Sequence, residues 1–98
     1  MIGKGHNIVV MVHHPQLVDS GNNMSVVSRV LRDEYNGRVV FLVADLFTPQ
    51  GQEFIKAHGI ENSTALAFFA PNGDKIKVIY GEQSEDALRQ KINSSFNF

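Results

Sequence analysis

Two uninterrupted apolar runs, Ile8 to Val12 and Val39 to Ala44, lie one helix length apart, and they constrain the fold more than anything else in the chain. A strand with one wet face alternates apolar and polar residues, whereas an unbroken β-branched run is expected of a strand covered on both faces. Between the runs, Met24, Val26, Val27, Val30, Leu31 and Tyr35 fall on one half of a helical wheel, and Ser25, Ser28, Arg29, Arg32 and Asp33 on the other. That wide stripe suits a helix lying flat on a sheet. The first run stops at His13-His14-Pro15, because proline cannot donate to a ladder and biases the residue before it. Asn36-Gly37 supplies a left-handed helix stop. Strand, helix and strand in this order make a right-handed βαβ unit with parallel pairing.

The second half carries stronger local signals. Thr48 followed by Pro49 reads as a cap and first helical residue, and Gly59 ends that short helix. Ala65 to Ala70 and Lys75 to Tyr80 flank Pro71-Asn72-Gly73-Asp74, whose turn chemistry predicts a hairpin. Lys75 and Lys77 mark the second of these strands as an edge protected by charge. Ser84 is expected to cap a last helix with Glu85 and Asp86 in its first turn, and Leu88, Ile92 and Phe96 form its buried line. Gly3-Lys4-Gly5 reads as a flexible end and Gly51 as a tolerated helix glycine. The expected architecture is a single α/β domain over residues 1–98, a three-layer α/β/α fold around a mixed sheet with element order βαβ-α-ββ-α.

Composition removes several functional classes. Nine Lys plus Arg against ten Asp plus Glu leave no strong field directed at nucleic acid or an anionic membrane surface. No apolar run approaches the length of a membrane span, and Ile8 to Val12 is too short for a signal-peptide core, so a soluble protein is expected and the cytoplasm is slightly favoured. The chain has no cysteine, which excludes disulfides, thiolate nucleophiles and cysteine metal sites together. Triplets of the form Asn-x-Ser/Thr begin at Asn23, Asn62 and Asn93 and would matter only in a secreted protein.

This order of elements resembles the thioredoxin fold family. Asp33 to Val39 is similar to the end of that family's first long helix and its run into the central strand, Val43-Ala44-Asp45 to the end of that strand, His58-Gly59-Ile60 to the end of the second helix, and Phe69 to Gly73 to the entry into the hairpin. The likeness spans residues 7–95. It implies a redox motif of the form Trp-Cys-Gly-Pro-Cys, whose cysteine-to-cysteine stretch would fall at Leu17 to Ser20 or at Val18 to Gly21, where no thiol exists. The family's cis-proline would fall at Thr64, where a trans backbone is expected, and its buried acid near Met11, which has no titratable proton. Thiol-disulfide exchange therefore has no nucleophile. The chain is most similar to redox-inactive members, the non-catalytic domains of protein disulfide isomerases among them, and the resemblance implies the holding of a protein or peptide partner, with no cofactor, by a monomer or weak homodimer.

The surface implied for that partner comprises His13, His14, Leu17, Val18, Asp19, Ser20, Gly21 and Thr64. As apolar loop residues, Leu17 and Val18 would ordinarily turn inward to close the core; left outside, beside Thr64, Ala65 and Phe47, they make a shallow recognition surface. A second reading places a small ligand or anion at the helix start near Ser20 to Asn23, where unpaired N–H groups point outward, although Ser20 or Asn22 acting simply as a helix cap explains the same residues. His13 and His14, with His6 or Asp19, lack diagnostic metal-ligand spacing and read as ordinary loop histidines, so no metal is expected. Ser20 beside His13 or His14 and Asp19 lacks any motif that fixes a nucleophile's geometry. His58 is expected to complement a helix dipole. Phe96 continues the buried line of the last helix, and Phe98 lies beyond it. A further reading pairs the exposed strand Lys75 to Tyr80 with another copy.

Overall fold

The computed structural model describes residues 2–98. Strand β1 (Ile8–His13) leads into α1 (Val18–Glu34), β2 (Val40–Asp45), α2 (Pro49–His58), β3 (Ala65–Phe69), β4 (Lys75–Tyr80) and α3 (Glu85–Phe96). The four strands form one mixed sheet in the order β2-β1-β3-β4. β1 pairs parallel with β2 and antiparallel with β3, and β3 pairs antiparallel with β4. No peptide bond among the described residues is cis.

Alternation along the central strands sorts the core onto two faces. Val9, Met11, Leu66 and Phe68 pack with Val27, Val30 and Leu31 of α1 and with Leu88 and Ile92 of α3. Ile8, Val10, Val12, Ala65, Ala67 and Phe69 pack on the other face with Ile55 of α2 and with Ile60. All of β3 and the run Ile8 to Val12 are buried, as continuous apolar strands require. β2 departs from that expectation: of its residues only Ala44 is buried, and Val43 is 45% exposed. An equally apolar run occupies a different place, because β2 ends the sheet and has a strand on one side only.

Local chemistry accounts for the element ends. The Thr48 hydroxyl accepts from the Gly51 N–H at 3.1 Å with Pro49 in the first helical turn, and Gly59 takes the left-handed conformation that stops α2. The Ser84 hydroxyl accepts from the Ala87 N–H at 3.1 Å. In the hairpin, Asn72 Oδ1 accepts from the Asp74 N–H at 3.0 Å while Gly73 supplies φ +97°. The pairing skips a residue between Phe68 and Phe69, a bulge that leaves Ile76 exposed on the outer strand.

Gly51 and the segment Gly3 to Gly5 depart from the expectation of a tolerated helix glycine and a flexible end. A Cβ on Gly51 would lie 1.9 Å from the Asp45 carbonyl oxygen, so this glycine is required by the close approach of α2 to the end of β2. The segment at Gly3 to Gly5 is tied to the hairpin, with the Gly5 N–H donating to the Pro71 carbonyl at 3.0 Å and Gly73 packed on Gly3. Phe98 turns back to stack on Tyr35 at 5.8 Å, and the Arg38 guanidinium lies over both rings. Arg89 of α3 grips the Glu34 carboxylate with two of its nitrogens, at 2.7 Å each, joining the C-terminal end of α1 to α3 on that face. That hydrogen bonding holds Glu34 below the usual carboxylate range.

Candidate functional site

The end of β1, the first turn of α1, the loop after β2 and the start of β3 meet at one edge of the molecule. The chain leaves β1 at His13, turns through Pro15 and Gln16 with the Leu17 N–H donating to the His14 carbonyl at 3.0 Å, and enters α1 at Val18. The helix thus begins ahead of the segment Ser20 to Asn23. Its cap residue is Leu17, which offers no side-chain acceptor, so neither Ser20 nor Asn22 caps it.

Ser20 faces back toward the strand it follows. Its hydroxyl accepts from the His14 N–H at 2.9 Å and lies 2.8 Å from His13 Nδ1. Ser20 is fully buried, and one lone pair is already committed to the backbone, so the Ser20 and His13 pair acts as a strut between β1 and α1 rather than as an accessible nucleophile and base. His14 is half-buried, meets the Phe47 ring edge-on at 5.3 Å, and has a buried Nδ1 with no hydrogen-bond partner. The two histidines are therefore more than ordinary loop residues: one is tied to α1 and the other packs under Phe47. Among the described residues no three His, Asp or Glu side chains converge as a metal site would require.

Asp19 makes the second strut. Thr64, fully buried at the head of β3, donates its hydroxyl to Asp19 Oδ1 at 3.1 Å and accepts at its carbonyl from the Gly81 N–H at 3.0 Å. Asn23 makes a third. Its buried amide donates to the Gly81 carbonyl at 3.0 Å and accepts from the Gln83 N–H at 2.7 Å, which fixes the loop between β4 and α3.

These bonds bear directly on the anion reading near Ser20 to Asn23. The Gly21 N–H donates to the Leu17 carbonyl at 3.3 Å, which places Gly21 and the residues after it inside the helical ladder. The Asn22 amide is held by Glu82 at 3.0 Å, and the Asn23 amide by the loop. The first-turn N–H groups that remain belong to Val18, Asp19 and Ser20, beside the Asp19 carboxylate, which opposes a second negative charge there.

Leu17 and Val18 do not turn inward. Leu17 is 41% exposed, Val18 is 80% exposed, and Phe47 in the loop after β2 is 56% exposed. The strand ends are closed instead by Val12, Ala44, Leu46 and Ala65, all buried. Of the eight residues expected to form this surface, Leu17, Val18 and Gly21 are exposed, His13, His14 and Asp19 are half-buried, and Ser20 and Thr64 lie wholly beneath it. The strut roles of Asn23 and Ser20 escaped the sequence reading because both residues are polar. Their spacing to Val27 and Val30 does put them on the buried stripe of α1, a signal of position rather than of residue type.

Elsewhere, His58 lies between the Phe54 ring at 4.6 Å and the Phe69 ring at 5.0 Å. His58 therefore packs as an aromatic residue in the last turn of α2, and burial, then the nearby Lys75 ammonium, pushes its pKa down, which works against the charge expected to complement the helix dipole. The ammonium of Lys75 itself satisfies the His58 carbonyl.

The chain matches no known family model, and no curated protein matches it. Among the described residues no helix is long and apolar enough to cross a membrane.

Proposed function

We propose that this chain is a redox-inactive thioredoxin-like domain that binds extended or unfolded polypeptide through the apolar surface at the strand ends. The fold assignment is supported by the strand order β2-β1-β3-β4, with a parallel first pair, an antiparallel hairpin, α1 and α3 on one face and α2 on the other. The absence of cysteine removes dithiol chemistry from such a scaffold.

One observation carries the binding role: Leu17, Val18 and Phe47 stand exposed around His14, on a backbone held by the Ser20 and Asp19 struts. Exposed apolar side chains gain from removal from water, and a site fixed in advance loses little conformational entropy when it is covered. Leu17, Val18 and Phe47 are the contacts, whereas Ser20 and Thr64 hold them in place.

The test is titration of isotope-labelled protein with an unfolded, cysteine-free polypeptide. Amide shifts confined to residues 14–19 and 47, with affinity lost in Leu17→Asp and Val18→Asp while the thermal midpoint holds, support the proposal. Flat spectra at millimolar probe, or shifts centred on another face, reject it.

A further inference from the structure

We infer that β2 is a self-complementary edge through which two copies of this chain pair antiparallel, joining their sheets into one. This inference is independent of the polypeptide-binding proposal, which concerns the strand ends.

The two edges of the sheet are built differently. β4 carries Lys75 and Lys77 and a bulge, all devices that discourage pairing. β2 reads Val-Phe-Leu-Val-Ala-Asp, with no lysine, no proline and no bulge in its register with β1. The Val40 N–H donates to the Asn7 carbonyl and the Leu46 N–H to the His13 carbonyl, so the even-numbered residues turn their backbone groups toward β1. By alternation, Phe41, Val43 and Asp45 turn theirs to the open side. Among the described residues no backbone group bonds to Phe41 or Val43 there.

A two-fold axis through Leu42 satisfies these groups. Phe41 of each copy then lies opposite Val43 of the other, and each such pair exchanges both of its N–H and C=O bonds. Register shifts by two residues are poorer. One brings in Asp45, whose carbonyl is already taken by the N–H and hydroxyl of Thr48, and the other brings in Val39, whose N–H is committed to the Tyr35 carbonyl.

Side chains favour the same register. Phe41 covers the half-exposed Val43 on the α1 face, an aromatic and β-branched cross-strand pair. On the α2 face Leu42 meets Leu42, and Val40 meets Ala44. That face holds an open apolar groove of about 380 Å³ lined by Val10, Leu42, Ala44 and Phe54, which the second copy borders. Asp45 lies opposite Val39, so the two carboxylates stand at opposite ends of the ladder and do not oppose each other. One short ladder buries less than the about 1,200 Å² of a stable interface, and the dimer is accordingly weak.

Sedimentation velocity from low micromolar to millimolar protein, with amide hydrogen exchange at both ends of that range, tests the inference. The expected result is a concentration-dependent dimer in which the Phe41 and Val43 amides gain protection, with association weakened by at least about tenfold in Val43→Lys. Ile76→Lys on β4 should leave association unchanged. A monomer at millimolar concentration overturns the inference, as does a dimer whose protected amides lie in β4 or α1, or a β2 edge that takes up a foreign extended peptide in preference to a second copy. The exchange measurement uses the unaltered chain, so it decides the matter even if Val43→Lys fails to fold.

Discussion

The Ser20 hydroxyl lies 2.8 Å from His13 Nδ1 and, by also taking the His14 N–H, closes the junction between the central strand and the long helix that follows it. Ser20→Ala removes the acceptor and leaves a part-buried N–H unpaired, which should cost about 1 to 3 kcal/mol. Urea unfolding checks this through the midpoint at constant slope. A shift too small to resolve would show that Ser20 is not a strut.

Among the described glycines, Gly51 has the least room for an added methyl group. The Asp45 carbonyl, fixed by two bonds from Thr48, occupies the space a Cβ would need. Gly51→Ala should destabilise by about 3 kcal/mol even though alanine is the better helix former. Equal or greater stability in thermal unfolding would contradict that close approach.

Asn23 carries two bonds to the loop before α3 from a fully buried position. Asn23→Ala should cost about 2 to 3 kcal/mol and increase hydrogen exchange at Gln83. Asn23→Asp keeps the acceptor and loses the donor, so it should retain protection at Gln83 better than alanine does.

His58 makes stability depend on pH. Its pKa in the folded chain is lowered from 6.5 by burial and then by Lys75, so the unfolded chain binds the proton more readily. The stabilisation is whole above the unfolded value and is lost as pH falls through the lowered folded value. In thermal scans at decreasing pH, His58→Gln should lose less stability than the parent over that window. Parallel losses in the two proteins would remove His58 as the cause.

Val18→Asp should leave stability within about 0.5 kcal/mol of the parent, because the side chain is exposed and the favourable field of the helix start is offset by the Asp19 carboxylate beside it. This separates loss of binding from loss of fold in the same variant, with circular dichroism melting as the readout.

The sequence by itself determined those features whose bonds close within a few residues. The Thr48 and Ser84 caps, the Gly59 stop and the turn at Pro71 to Asp74 are of this kind, since donor and acceptor lie in one short segment. The proximity of Leu17 to Ser20 and Thr64 was expected only from the resemblance to the thioredoxin family, and the Thr64 to Asp19 hydrogen bond joins those segments. Only the tertiary structure decided that β2 stands at an edge, that α1 begins at Val18, that Ser20 and Asn23 are buried while Leu17 and Val18 are exposed, that Gly51 must be glycine, and that His58 packs between rings. The physical reason is common to all of these. Each depends on what a neighbouring element places against the residue, as Gln83 does for Asn23 and Asp45 for Gly51, and periodicity along one segment carries no record of a neighbour supplied by another.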